Sequence, residues 1–247
     1  MIIVDSHAHL GDSAVSKLSV TPDDLLGAMY LYGIDVSVVL PHPVMEAYQQ
    51  AHDDIAALAA DYPTRIFGVA SLSPQVGIET YRKEVTRCVQ ELGFVAVKYH
   101  PVLHNALPTS SVTKTLFEIA QSLEIPVIVH TGLGMPWAHP SRLTPLARNF
   151  PDVKVVFAHS GFTHFSLDAL YAAQECSNIY LETSWTAPDA IAQFVNEIGS
   201  QRVMMGADGL LNTPIELKKF EVLELPEQDL AWCLGQTAIK VFGLDVD

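Results

Sequence analysis

Four histidines and one aspartate follow short apolar runs along the chain. His7 and His9 are two residues apart, so on an extended strand their side chains point to the same side, roughly 6–7 Å apart. His130 and His159 each end an apolar run and are followed by a small residue and then a glycine. Asp208 lies in a Gly-Ala-Asp-Gly segment after another apolar run. Imidazole and carboxylate groups are suitable ligands for Zn²⁺, Mn²⁺, Fe²⁺ or Ni²⁺.

Each of these residues has an ordinary interpretation when it is considered alone. A single His-x-His pair is common at strand ends, and an aspartate before glycine is often a turn or cap residue. Their combination predicts a divalent metal site, most consistent with Zn²⁺. In that site Asp208 would act as ligand and general base. Three weaker candidates for substrate contact are Trp137, Arg142 and Glu182.

The chain between these residues alternates between short β-branched runs and longer helical patterns, which is typical of βαβ units. Eight runs are interpreted as strands: Ile2–Asp5, Val36–Leu40, Ile66–Ala70, Phe94–Tyr99, Val127–His130, Val153–Ala158, Ile179–Glu182 and Val203–Met205. An open doubly wound sheet would show the same alternation. The count of eight, with polar residues at the strand ends, favours an α/β fold of the (β/α)₈ TIM barrel type, whose active sites lie at that face.

Composition limits the class of protein further. The 247 residues fit one barrel domain over residues 1–247 with C-terminal helices. The formal net charge of −14 disfavours a nucleic-acid partner, and no apolar run is long enough to predict a membrane span. Three widely spaced cysteines without metal or disulfide spacing are typical of a reducing compartment. We expect a cytoplasmic protein that acts on a small molecule, and a homodimer is compatible with the sequence.

The pattern resembles the amidohydrolase superfamily, and most closely its amidohydrolase-2 branch, which includes aminocarboxymuconate-semialdehyde decarboxylase. The similar segments are residues 3–9, 93–101, 158–161 and 235–244, so the resemblance spans the chain. It implies a (β/α)₈ barrel in which His7, His9 and His130 are metal ligands, Asp208 is a ligand and proton acceptor, and His159 is a ligand or contacts the substrate.

Lys98 is at the position where binuclear amidohydrolases carry a carboxylated lysine that bridges two metals. The amidohydrolase-2 branch works mostly with one metal, so we expect one ion and an unmodified Lys98; a second ion would make Lys98 a ligand. His100 has the same strand parity as Lys98 and is a further candidate for substrate contact.

The function that we expect first is metal-dependent hydrolysis, in which activated water attacks an amide, lactone or ester carbonyl. The alternative is metal-dependent non-oxidative decarboxylation of an unsaturated or aromatic acid. A carboxylate-binding arginine at the rim would favour that alternative, and Arg142 is the nearby candidate. A TatD-like phosphodiesterase and a metal-free binding barrel are less consistent with the acidic surface and with the full set of ligand residues.

Overall fold

The segment that directly follows the last strand is hydrogen-bonded to the first strand, which closes the sheet into a barrel. The computed structural model describes residues 1–15, 17–43, 47–134 and 136–246. Ser6 N donates to Met205 O over 3.1 Å, and Asp208 N donates to His7 O over 2.7 Å. A buried carboxylate supports the same junction, since Asp5 accepts from the backbone N–H of Ala207 at 2.9 Å. The predicted (β/α)₈ barrel is confirmed, and the open sheet is excluded.

Over the described residues the strands follow one another in the order β2-β1-β3-β4-β5-β6-β7-β8-β9. The strands are β1 Val4–Asp12, β2 Ser19–Val20, β3 Val36–Pro41, β4 Ile66–Ser71, β5 Ala96–Tyr99, β6 Val127–His130, β7 Val155–Ala158, β8 Ile179–Glu182 and β9 Val203–Met204. The helices are α1 Pro22–Tyr32, α2 Tyr48–Asp61, α3 Ile78–Gln90, α4 Ser111–Ser122, α5 Thr144–Asn149, α6 Ser166–Glu175, α7 Pro188–Ile198, α8 Thr213–Val222, α9 Glu227–Ala231 and α10 Thr237–Phe242. All strand pairs are parallel except β1 with β2.

The first strand differs most from its prediction. It begins at Val4 and runs to Asp12, so His7 and His9 lie inside β1 and not after its end. The parallel register with β3 slips by one residue between Asp5 and Ala8, as in a β-bulge, which re-aims side chains at functional edges. β2 was not predicted, because a two-residue antiparallel strand has no periodicity to detect.

Local signals explain where the first helix begins and ends. Thr21 caps α1 in a reciprocal capping box with Asp24, and Pro22 occupies the first helical turn. Gly33 ends the helix at φ 69°, in the left-handed region that glycine adopts readily. Such caps contribute about 0.5–2 kcal/mol each. The helix therefore returns the chain to the amino end of β3.

Two buried layers hold the barrel together. One lies between the strands and the surrounding helices, and the other fills the inside of the barrel. The inner layer includes Val241 and Phe242 of α10, which pack against Val4 and Met204. Each such buried aliphatic or aromatic side chain contributes about 1.5–3 kcal/mol. The last helix thus closes the amino end of the barrel and leaves the carboxyl end as the open mouth.

The last of the predicted C-terminal helices is interrupted within residues 227–242. A π-helical turn over Trp232–Gln236 separates α9 from α10. Gly235 lies in this turn, where a Cβ would come within 2.2 Å of Ile2 O, and Cys233 O accepts from Met205 N at 2.9 Å. The turn therefore frees a carbonyl group for Met205, directly after β9, and allows close approach to the start of the chain. The prediction of one domain over residues 1–247 stays a prediction.

None of the helices in the described part of the chain is both long and apolar enough to traverse a lipid bilayer.

Candidate metal centre

A cavity of about 330 Å³ opens at the carboxyl ends of the strands, where the sequence predicted the site. Its polar floor includes His7, His9, Lys98, His130 and Asp208. The remaining lining residues are Ser13, Ala14, Val15, Leu18, His42, Pro43, His100, Leu103, His159, Phe162, Trp185 and Gly209. The structure therefore brings all five predicted metal-site residues into one cavity, although they come from distant parts of the chain.

Three ligand atoms of this floor lie within reach of one ion. Asp208 Oδ1 is 3.4 Å from His7 Nε2 and 3.2 Å from His9 Nε2. Ligands that each lie about 2.1 Å from a shared ion are separated by about 3–3.5 Å. His7, His9 and Asp208 therefore have the spacing of a metal donor set.

Glu182 determines which nitrogen of His7 is available. Its Oε2 accepts from His7 Nδ1 at 3.0 Å and from the backbone N–H of His159 at 3.0 Å, and Oε1 accepts from Ser184 N at 2.6 Å. A carboxylate that accepts from the far nitrogen of a ligand histidine fixes its tautomer and ring orientation. The oxygens of Glu182 are turned to these partners below the cavity, and its predicted contact with substrate stays a prediction.

Ser184 extends this network to His159. His159 Nδ1 lies 2.7 Å from Ser184 Oγ, which in turn donates to Glu182 Oε2 at 2.8 Å. The hydroxyl group gives its proton to the carboxylate, so it accepts from His159 Nδ1–H. His159 Nε2 is consequently the nitrogen that remains for a ligand or a proton.

His130 lies on the other side of His159, with ring centroids 4.9 Å apart. Its Nε2 is 2.9 Å from Leu133 O, so this nitrogen carries the proton and Nδ1 has the free lone pair. His130 is not part of a compact ligand group among the described residues, and its role as a ligand stays a prediction. His100 stacks on it at 4.0 Å and lines the cavity, as expected of a residue near the substrate.

Lys98 is the single lysine or arginine among the described residues that line the cavity. It is 2% exposed, and its Nζ lies 3.2 Å from His7 Nε2. No ion pair of the described residues includes it. Burial lowers the pKa of Lys98 to about 8, while Asp208 and Glu182 act in the opposite direction. The amine is therefore a buried cation at neutral pH that has no bonded carboxylate among the described residues.

Burial gives the histidines the charge state that a metal requires. It lowers the pKa of His7 and of His159 well below the ordinary value, and it lowers that of His130 to about 4. Burial would raise the pKa of Asp208, but His159, His7 and the hydrogen bond with His9 outweigh it and hold the pKa well below its usual range. Neutral imidazoles beside an ionised carboxylate are the donors that a divalent ion binds. The residues present fit such an ion.

The mouth of the barrel also concentrates unusual backbone geometry. His159, Ser160, Phe162, Trp185 and Asp208 all have φ between 45° and 68°, in the left-handed region that residues other than glycine seldom adopt. Each such conformation costs on the order of 1–3 kcal/mol and persists where the surroundings impose it. Backbone strain of this kind is typical of a functional site, where it holds side chains in a fixed orientation.

Two predicted substrate contacts lie elsewhere. Trp137 and Arg142 are not among the described residues that line the cavity. Arg142 is exposed at the end of the short helix Pro140–Arg142, where its guanidinium group keeps its hydration. Contact of either residue with a substrate stays a prediction. The sequence did not identify Trp185 and Phe162 as wall residues, since a single aromatic residue in a loop carries no periodic signal.

Comparison with known proteins places the chain in a family. The family model described as "Amidohydrolase", of the amidohydrolase-2 type, matches residues 4–244. The chain belongs to the amidohydrolase-2 family. This confirms the resemblance on which the sequence-based ligand set rests.

The relatives of this amidohydrolase-2 protein include decarboxylases. This chain is 24% identical to 2-amino-3-carboxymuconate-6-semialdehyde decarboxylase of Dictyostelium discoideum, and the alignment covers 91% of this chain and 77% of the relative. A dihydroxybenzoic acid decarboxylase of a Polaromonas species, solved with bound manganese and an inhibitor, has a TM-score of 0.79 at 19% identity, with 100% and 98% of the two chains covered. A 5-carboxyvanillate decarboxylase of Sphingomonas paucimobilis has a TM-score of 0.80 at 15% identity, with 98% and 99% covered.

Proposed function

We propose that the protein is a metal-dependent non-oxidative decarboxylase of an aromatic or unsaturated acid. The observation that carries the proposal is Lys98, a buried cation that no carboxylate of the described residues binds, at the floor of a cavity beside the metal donor set. A substrate carboxylate is the partner that satisfies this charge. The similarity to the Dictyostelium decarboxylase and to the manganese-bound decarboxylase structure supports the same reaction. Lys98 takes the role that the sequence gave to Arg142.

The cavity wall supports a flat apolar substrate body. Phe162, Trp185 and Leu103 line it above the polar floor. Such a wall excludes water and favours an aromatic ring or a conjugated chain. The proposed substrate therefore places its carboxylate on Lys98 and its unsaturated body against this wall.

We assign the ligands of one divalent ion to His7 Nε2, His9 Nε2 and Asp208 Oδ1, with His130 Nδ1 as a further ligand. Mn²⁺ and Zn²⁺ both suit this set. When bound, the ion supplies Lewis-acid stabilisation of negative charge on substrate oxygen atoms.

His159 is the proposed proton carrier. In the reaction, the bond between the carboxyl carbon and its neighbour breaks, CO₂ leaves, and the electron pair on the remaining carbon takes up one proton. His159 Nε2 relays that proton from water, because Nδ1–H is held by Ser184. The ionised Asp208 nearby stabilises the protonated ring.

The test is a screen of the full-length protein, loaded with Mn²⁺ or with Zn²⁺, against hydroxybenzoic and conjugated acids, with lactones and small amides included. We expect release of CO₂ from an acid. Lys98→Met should raise KM for that acid and lower kcat/KM by about 100-fold, since a buried charge-assisted contact is lost. Lys114→Met, at an exposed position of α4, is the matched control and should change neither constant. Hydrolysis of a lactone or amide without any CO₂ release would overturn the proposal in favour of the hydrolase prediction.

A further inference from the structure

The indole group of Trp185 is hydrogen-bonded to the carboxylate of the donor set. Trp185 Nε1 donates to Asp208 Oδ2 over 2.7 Å. The other oxygen of the same carboxylate, Oδ1, faces His7 and His9. The two oxygens of Asp208 therefore have different partners, and the indole N–H occupies the one that faces away from the histidines.

The backbone of Trp185 is held independently of its ring. Trp185 N donates to Glu216 Oε1 over 2.8 Å. Glu216 lies on α8, is fully buried, and is bound by Lys219 at 2.7 Å and by Asn212 Nδ2 at 2.9 Å. An ion pair between buried Glu216 and half-buried Lys219, on a helix outside the barrel, thus fixes the backbone of the residue that contacts the site.

Both partners of the indole–carboxylate bond have a left-handed backbone. Trp185 and Asp208 each have φ 62°. Asp208 N donates to His7 O in β1, and Trp185 N is bound to Glu216, so each strained residue is tied to a different element. Two separate strained positions that meet in a single hydrogen bond indicate that the contact between them is specified by the fold.

We propose that Trp185 is a positioning residue of the metal centre, whose indole N–H holds Asp208 Oδ2 and leaves Oδ1 as the single ligand oxygen. This inference rests on the metal centre of the proposed function, but it does not depend on the reaction catalysed there. Carboxylates bind metals through one oxygen or two, and hydrogen bonds to the second oxygen select the first mode. The wall that the same ring provides for the cavity is a separate property.

The substitution Trp185→Phe separates these two properties, since phenylalanine keeps an aromatic wall and lacks the N–H donor. We expect Trp185→Phe to bind Mn²⁺ about 10- to 100-fold more weakly than the wild type, the usual effect of losing a partner of a metal ligand. Trp232→Phe, in the C-terminal π-helical turn, is the matched control and should bind Mn²⁺ as the wild type does. Isothermal titration of the full-length protein measures the three affinities, and thermal unfolding checks that each variant is folded.

A second measurement follows the indole N–H of Trp185 in the wild-type protein, so it does not depend on metal binding by a variant. The three tryptophans give three indole N–H signals in a ¹H–¹⁵N spectrum, and the signal absent from Trp185→Phe identifies Trp185. We expect this proton to exchange slowly with solvent although the residue is 45% exposed, and its signal to shift when diamagnetic Zn²⁺ is added. The Trp232 signal should stay in place.

The outcomes separate this inference from the proposed reaction. A fast-exchanging Trp185 N–H, or Trp185→Phe with wild-type Mn²⁺ affinity, would overturn the inference and leave decarboxylation standing. Metal binding that depends on Trp185 without CO₂ release from any acid would support the inference and overturn the reaction. A wild-type protein that binds neither Mn²⁺ nor Zn²⁺ would contradict both.

Discussion

At the scale of single residues, the donor set depends on side chains that do not face the cavity. Glu182 accepts four hydrogen bonds below the site, from His7, from Ser184 twice and from the backbone of His159. Burial raises its pKa to about 7, although these hydrogen bonds act in the opposite direction. The residue therefore holds both histidine rings, and its ionised form depends on the hydrogen bonds that its partners donate.

The substitution Glu182→Gln tests this role. Glutamine has one acceptor oxygen, and its NH₂ group would face a donor, so the orientation of His7 and of His159 would be lost. We expect Mn²⁺ affinity to fall about 10- to 100-fold. Isothermal titration with Mn²⁺ measures the affinity. Glu118→Gln is the control, since Glu118 forms an exposed ion pair with Lys114. Unchanged affinity in Glu182→Gln would show that the histidine rings are fixed by packing alone.

The sequence predicted the residues of the donor set better than their support. His7, His9 and Asp208 could be identified because ligand types recur after apolar runs, and parallel strands bring such positions to one edge. The support by Glu182 could not be identified in this way. Its role depends on which way its oxygens face, which is decided by groups on β1, β7 and β8 together.

At the scale of elements, the close approach of β9 to β1 and β8 depends on a residue without a side chain. A Cβ on Gly206, just after β9, would lie 2.6 Å from Glu182 Oε1 and 2.9 Å from the Cβ of His7. Both neighbours are buried and hydrogen-bonded, so neither can move freely. Gly206 therefore sets the distance between three strands at the level of the site.

We expect Gly206→Ala to destabilise the protein by about 1–3 kcal/mol and to weaken Mn²⁺ binding, because the added methyl group displaces Glu182 or His7. Gly27→Ala is the matched control: Gly27 lies in α1 with no atom within 4 Å of an added Cβ. It should leave metal affinity unchanged and favour the helix by about 1 kcal/mol. Urea unfolding measures the stability of each variant, and isothermal titration measures its Mn²⁺ affinity. Equal stability and equal affinity in both variants would contradict the steric argument.

A second buried network links α2, α3 and β4. His52 Nε2 accepts from Ser71 N at 3.0 Å, and its Nδ1 donates to Glu84 Oε1 at 2.8 Å. Arg87 binds both oxygens of Glu84, at 3.1 Å and 2.8 Å. Both nitrogens of His52 are therefore engaged, so we interpret this cluster as structural although its ligand types are those of a metal site.

This network predicts a dependence of stability on pH. Burial would raise the pKa of Glu84, but hydrogen bonds from Arg87, His52 and Gln49 lower it to about 2, below the ordinary value of 4.5. A lowered pKa contributes stability above pH 4.5, and this contribution is lost as the pH falls towards 2. The difference in unfolding free energy between wild type and Glu84→Gln should shrink by about 2 kcal/mol between pH 6 and pH 3. Urea unfolding measures it; a difference independent of pH would contradict the assignment.

At the scale of the whole molecule, the order of elements was predictable and the closure was not. Eight parallel strands with helices between them follow from periodicity, and all eight are present. The extension of β1 to Asp12 was missed because polar ligand residues interrupt its apolar pattern. The hydrogen bonds between Ser6 and Met205 join residues that no local pattern relates. Register at the closing junction is a property of the complete barrel.

Metal binding should stabilise the whole protein, since the donor set exists only in the folded chain. At a free Mn²⁺ concentration of 100 times Kd, we expect about 2.7 kcal/mol of added stability and a Tm higher by roughly 5–10 °C. EDTA should reverse the rise. His7→Ala should abolish it and His130→Ala should reduce it, whereas His164→Ala, at an exposed position, should keep it. Thermal unfolding with and without metal measures each shift, and an equal shift in His7→Ala would exclude this site.

The closing junction also sets the time at which the site can form. His9 and Asp208 are separated by 199 positions, yet their side chains lie 3.2 Å apart. During synthesis on the ribosome, His7 and His9 emerge early, and most of the chain must follow before Asp208 is available to pair with them. A bound ion would then link the two ends of the polypeptide. A nascent chain released before Asp208 is synthesised should therefore bind metal only weakly.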